Sequence, residues 1–218
     1  MANKAIIAGS TGLIGSKLLH ILLREPFYDE VLILVRKKID LQHKKLRQQV
    51  VDFDQLDSYA YVLNGHAVFC CLGSTKAKTP DLNIYRKIDH DYPVQLAQLA
   101  QKNGVKQYHL VSVIGANANA SSFYIRMKGE TEADIANVGV PATYIYQPSL
   151  LTGERQEKRI MEKIAGGLAK VIDPLLIGSL RKYRSIPAET VAMAMYKQST
   201  KNEMGVFVYP SDIIKQLS

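Results

Sequence analysis

Short apolar runs rich in β-branched residues alternate along the chain with longer segments whose apolar positions recur near helical spacing. The runs at 5–8, 31–35, 48–51, 67–72, 107–111, 142–146 and 205–208 predict strands. Between them, 13–23, 56–63, 84–102, 122–138 and 188–197 predict helices. Pro93 is expected to kink or restart the third helix, and Asn103-Gly104 to stop it. Strands that alternate with helices argue for a parallel sheet covered on both faces. Residues 152–185 break the rhythm and predict a small lid-like insertion over one sheet edge. No repeat, low-complexity tract or linker interrupts the rest, so 1–218 reads as one domain.

Composition narrows the picture only slightly. A chain of 218 residues with 47% hydrophobic content can bury a core without metal or disulfide staples. Its two cysteines, Cys70 and Cys71, are adjacent within an apolar run, which suits neither a disulfide framework nor metal-ligand spacing. That pattern fits a reducing compartment, and a cytoplasmic protein is the expectation. The N-terminus runs directly into a strand and glycines, with no signal-peptide pattern expected. No apolar stretch approaches the ~18 residues of a membrane span. The net charge of +8 is concentrated around Arg36, Lys37, Lys38, Lys44, Lys45 and Arg47. A solvated face, a bed for an anionic phosphate and a nucleic-acid patch are the competing readings. The run has no interleaved aromatics and no nucleic-acid motif accompanies it, so nucleic acid ranks last.

Chemistry first enters at Gly9-Ser10-Thr11-Gly12-Leu13-Ile14-Gly15, a G-x-x-G-x-x-G turn between the first strand and the first helix. Glycines here permit a tight turn, close approach of backbone to a pyrophosphate, and close helix–strand packing. The helix N-terminus adds free amides and a positive dipole. The order strand, glycine turn, helix points to a dinucleotide-binding, Rossmann-type doubly wound α/β sheet. The second strand ends in Arg36-Lys37-Lys38, where an NAD-selective site usually carries an acidic residue. Cations there suit a 2′-phosphate, so NADP(H) is expected over NAD(H). Surface charge at a strand end is the alternative reading.

Ser112 follows the fifth strand, while Tyr124 and Lys128 lie one turn apart on the next helix. A Tyr-x-x-x-Lys pair is common by chance, and its place at the carboxyl end of a sheet gives it weight. Hydride transfer to a carbonyl leaves an alkoxide that must collect a proton. A phenol can donate it, a neighbouring ammonium should lower the phenol's pKa, and a serine hydroxyl can polarise the carbonyl. The competing reading is a core tyrosine beside a solvated lysine.

With these motifs in hand, the chain resembles the atypical short-chain dehydrogenases/reductases, in particular the Tat-interacting-protein-like oxidoreductases. The resemblance runs over nearly the whole chain, through GSTGLIGSKLL at 9–19, VDFDQLDSYA at 51–60, GHAVFCCLGSTKAK at 65–78 and FYIRMKGETEA at 123–133. It implies that Thr11, Gly12, Leu13 and Ile14 touch cofactor phosphates and that Arg36 and Lys37 hold the 2′-phosphate. It implies Asp52 near the adenine, Leu72 and Gly73 along the cofactor, and Tyr124 and Lys128 at the nicotinamide ribose. Pro148 and Leu151 would form a strand-end turn beside the nicotinamide, and Arg159 would add a further cofactor contact. Two departures bear on the substrate. Val113 stands where relatives often carry a second serine, and Gln147 where they usually carry arginine.

His66, His90 and His109 fall on different elements and read as surface or satisfied core histidines rather than metal ligands. Asp89 and Asp91 read as caps for the helix restart at Pro93. Three functions compete: an NADP(H)-dependent reductase or dehydrogenase for a small carbonyl or alcohol, a cofactor-gated binding module with little turnover, and an epimerase or dehydratase. The expected partner is a small-molecule substrate, with no nucleic acid and no membrane. Monomer and homodimer both stay open, as does a protein partner.

Overall fold

The computed structural model describes residues 3–153 and 176–218. Most of the expected lid, Arg159 included, lies outside those residues.

β1 (Lys4–Ala8) and β2 (Glu30–Val35) are buried along almost their whole length. A strand covered on both faces has no polar side to show, so its sequence is a continuous apolar run. Its side chains still alternate between two cores. Ala5, Ile7, Val31 and Ile33 join one, and Ile6, Ala8, Leu32 and Leu34 join the other. β3 (Leu46–Val50), β4 (Ala67–Cys70), β5 (Gln107–Val111) and β6 (Ala142–Gln147) extend the sheet. β7 (Leu151–Thr152) and β8 (Ile186–Pro187) form a separate parallel pair, and β9 (Gly205–Pro210) closes the main sheet. The seven strands run β3-β2-β1-β4-β5-β6-β9, all parallel.

α1 (Leu13–Arg24) packs with α5 (Ala188–Ser199) on one face. On the other face, α3 (Tyr92–Lys102) packs with α4 (Phe123–Val138) and with a 3-10 segment at Phe53–Val62. α2 (Leu82–Arg86) precedes α3, and α6 (Ser211–Leu217) is a closing helix the apolar pattern did not predict.

Several expected boundaries shift. The third strand covers Leu46–Val50 rather than 48–51, and the fourth stops at Cys70. The expected helix at 56–63 is a 3-10 segment from Phe53, broken at Gln55 (φ −131°, ψ 38°). Asn103 does cap α3, with Gly104 at φ +70° behind it.

The helix expected over 84–102 is divided by a π turn at Lys87–Asp91. Pro93 has no N–H to give the Asp89 carbonyl, the partner it would have in an uninterrupted α-helix. Instead the Tyr92 N–H reaches back to the Lys87 carbonyl. The Asp89 carbonyl lies 3.2 Å from the Thr131 hydroxyl of α4, whose single proton it shares with Met127 O at 2.8 Å. The proline thus restarts the helix as expected and frees a carbonyl that ties the turn to α4. Asp89 is carried inward on that turn and is buried.

Candidate functional site

The chain leaves β1 toward β2 on one side of the sheet, and β4 opens the other side. Ligands of such sheets bind where the strand order reverses, at the carboxyl ends of the strands. Two loops meet at that point here, the glycine turn after β1 and the segment after β4. Gly9 has φ +85°, and a Cβ on it would lie 2.5 Å from the Cys71 carbonyl. A Cβ on Gly15 would lie 2.1 Å from Gly9 O. Neither position admits a side chain, so the two loops and α1 close on one another. Gly12, at the N-cap, offers no side chain to the free amides of α1, whose first turn holds no acidic residue. Ser10 is buried, and its hydroxyl meets no partner among the described residues. A dipole-bearing helix end, a side-chain-free cradle and an orphaned hydroxyl fit a dinucleotide pyrophosphate.

A cleft of about 340 Å³ opens here. Thr11, Gly12, Leu13 and Ile14 line it from the first loop, and Leu72 and Gly73 from the second. Ser112, Tyr124, Lys128 and Leu151 line it too, so tertiary structure gathers these predicted positions around one space. Cys71, Ser74, Thr75 and Lys78 also line it, and sequence reasoning had not placed them there.

Two carboxyl groups accompany the Ser–Tyr–Lys trio. The Lys128 ammonium stands 3.6 Å from Asp89, whose other oxygen accepts from Ser74 N at 2.7 Å. Asp89 is therefore no helix cap, contrary to the sequence reading, and Asp91 heads α3 without a side-chain cap bond. Ser112 donates its hydroxyl proton to Glu132, which also accepts from Gln147 Nε2 at 2.9 and 3.1 Å. Burial raises the Asp89 carboxyl while Lys128 and Ser74 pull it back. Burial likewise raises Glu132 against the pull of Ser112, Gln147 and Lys128.

Tyr124 lies flat against Tyr85, with ring centroids 6.2 Å apart and planes 2° from parallel. Burial, with the Asp89 carboxylate adding to it, pushes the phenol up to about 12. This corrects the expectation that Lys128 lowers the phenol's pKa: burial of the ring is the larger effect, and the Asp89 carboxylate pushes in the same direction. At neutral pH the phenol keeps its proton.

The remaining positions stand apart from the cleft lining. Arg36 and Lys37 are exposed in the loop after β2 and meet no ion-pair partner among the described residues. That loop is pinned by Gln48 of β3, which accepts from Ile39 N at 2.9 Å and donates to Ile39 O at 3.0 Å. Asp52 accepts from Asp54 N and so caps the 3-10 segment. Pro148 is buried, and its carbonyl takes Ile114 N. His90 bonds Asp91 and Asp134, while His109 bonds Tyr146 and Gln107. No group of acidic, histidine or cysteine side chains suited to a metal occurs among the described residues. Glu132 had one available signal. Tyr124, Lys128 and Glu132 recur every four residues along one helical face.

A family model described as NAD(P)H-binding matches residues 9–199. Rat HTATIP2 is 34% identical over 200 residues, covering 89% of this chain and 81% of that protein. FMP52 of Coccidioides immitis is 31% identical over 207 residues, covering 89% and 84%. Among solved structures, a UDP-N-acetylglucosamine 4-epimerase from Methanobrevibacter ruminantium M1 superposes with a TM-score of 0.70 at 16% identity. That match covers 96% of this chain and 77% of the epimerase, and it speaks for the fold. The fungal relatives are named as mitochondrial proteins, which overturns the cytoplasmic expectation. Unbridged thiols report a redox condition rather than an address. No helix among the described residues is long and apolar enough to cross a membrane. With its glycine cradle, its cleft and these relatives, the chain belongs to the NAD(P)H-binding family of atypical short-chain dehydrogenases/reductases, the HTATIP2- and FMP52-like oxidoreductases.

Proposed function

We propose that the protein transfers hydride between NADP(H) and a carbon bearing a hydroxyl or carbonyl oxygen, with Tyr124 handling the proton on that oxygen. The observation that carries this reading is the convergence of Ser112, Tyr124 and Lys128 with the glycine turn on one cleft. The bound nicotinamide supplies or accepts the hydride. Gly9, Ser10, Thr11, Gly12, Leu13, Ile14 and Gly15 hold the pyrophosphate at the α1 N-terminus. Arg36 and Lys37 hold the 2′-phosphate, which gives NADP(H) the preference over NAD(H). Asp52 stands toward the adenine, and Leu72, Gly73, Pro148 and Leu151 along the rest of the cofactor. Tyr124, protonated at neutral pH, donates to the oxyanion as it forms. Lys128, held by Asp89, orients ribose hydroxyls beside the phenol.

A second reading keeps the same first step and returns the hydride to the same substrate, as an epimerase or dehydratase does. Asp89 and Glu132 favour its dehydratase form, because eliminating water moves protons at more than one position and the phenol alone handles one. The fold likeness to a UDP-sugar epimerase agrees with the reading as a whole.

The deciding experiment supplies NADPH deuterated at its transferable position to a panel of carbonyl compounds, and NADP⁺ to a panel of nucleotide sugars. Net oxidation with deuterium in the product supports a reductase. Altered sugar without net oxidation supports the second reading. NADPH binding with neither outcome across the panel overturns both in favour of a binding module.

A further inference from the structure

A hydroxyl has one proton to give and two lone pairs with which to accept. Ser112 gives its proton to Glu132, away from any ligand in the cleft. While Glu132 is ionised, Ser112 therefore meets a ligand only as an acceptor, which suits an alcohol. Once Glu132 is protonated, its acid O–H can donate to Ser112 Oγ, and the serine proton turns toward the cleft, where it suits a carbonyl or an oxyanion. Ser112 as a simple carbonyl polariser, the sequence expectation, thus holds in one of the two states. Resting on the hydride-transfer reading of this cleft, we propose that Glu132 is a positioning residue whose protonation selects which substrate form Ser112 accepts, alcohol when ionised and carbonyl when protonated.

The surroundings of Glu132 allow both states. Lys128, one turn earlier on α4, is the charged group that faces it, and this lysine is already matched by Asp89. The end of β5 faces it with Ser112, just past the strand, and β6 with Gln147, neither of which carries a charge. Gln147 holds both carboxyl oxygens through one amide nitrogen, so the group is oriented without a permanent counter-ion. Burial favours the neutral acid.

The test uses the full chain and the variants Glu132→Gln, Gln147→Arg and Ser112→Ala. Glu132→Gln removes the titration and leaves a neutral side chain. Gln147→Arg sets a permanent cation against both oxygens and holds Glu132 ionised to lower pH. Infrared difference spectra, taken without substrate as pH falls, read the carboxylic acid band. The band should be lost in Glu132→Gln, appear at lower pH in Gln147→Arg and at higher pH in Ser112→Ala, which removes a bond to the ionised form. With NADPH and a carbonyl from the panel above, wild-type kcat/KM should fall about tenfold per pH unit above the Glu132 titration. That limb should be absent in Glu132→Gln and displaced to lower pH in Gln147→Arg. Spectra unaffected by Ser112→Ala, or a pH limb common to wild type and both other variants, overturn the proposal. Absence of turnover in every protein would fault the hydride-transfer reading, and the spectra would still decide the Ser112–Glu132 coupling. Should Glu132→Gln fail to fold, Gln147→Arg alone carries the opposite-direction test.

Discussion

The Lys128 ammonium and the Asp89 carboxylate face one another at 3.6 Å with side chains only 4% and 3% exposed. Removing one member of a buried pair leaves an uncompensated charge and costs about 3–5 kcal/mol, whereas removing both can be near neutral. Asp89→Asn should therefore lower stability in urea unfolding by about that amount. Asp89→Asn combined with Lys128→Met should recover most of it. Additive losses in the double variant would mean that the two side chains do not act as a pair.

Tyr124→Phe keeps the ring that lies against Tyr85 and removes the proton donor. Turnover should fall about 10²–10⁴-fold while NADPH affinity, read by fluorescence titration, stays close to wild type. The phenol is pushed up to about 12 and is active in reduction as the neutral form. Its ionisation should therefore leave reductive kcat/KM unaffected until strongly alkaline pH, while alcohol oxidation, which needs the phenolate, should climb toward that limit. An unchanged rate in Tyr124→Phe would remove the residue from the chemistry.

NADPH should bind more tightly than NADH because Arg36 and Lys37 stand where an acidic residue would favour NADH. Loss of one charge-assisted contact costs about 1.5–3 kcal/mol, or roughly ten- to hundredfold in affinity. Arg36→Asp should erase or reverse the preference. Equal or tighter NADH binding by the unaltered protein in calorimetric titration would refute the assignment.

His109 lies between Phe69 and Tyr144, with ring centroids 4.6 Å away on either side. Burial holds its pKa well below the ordinary imidazole value. Below about pH 6.5 the unfolded chain takes up a proton that the folded chain refuses, so stability falls as pH falls. Each pH unit in that range should cost up to about 1.4 kcal/mol through this residue. Chemical unfolding between pH 7 and about pH 5 should show this slope, and His109→Gln should flatten it. An identical slope in the variant would place the acid sensitivity elsewhere.

What the sequence determined by itself is what its neighbours along the chain decide. The glycine turn was legible because the close approach of Gly15 to Gly9 O joins residues in one short stretch of chain. The parallel sheet was legible because strands buried on both faces leave continuous apolar runs. The restart at Pro93 follows from a single missing N–H. Tertiary structure decided the polarity of the site. Asp89 looked like a cap, since nothing local reveals that a π turn carries it inward to Lys128. Glu132 shared the helical face of Tyr124 and Lys128, but its meaning depends on Ser112, just past β5, and Gln147, at the end of β6. The charge of Lys128 was readable, while the burial of Tyr124 and the Asp89 carboxylate beside it were not. Electrostatic interactions act through space among groups that only the fold brings together, so residue types could name the chemistry while the fold alone set its protonation.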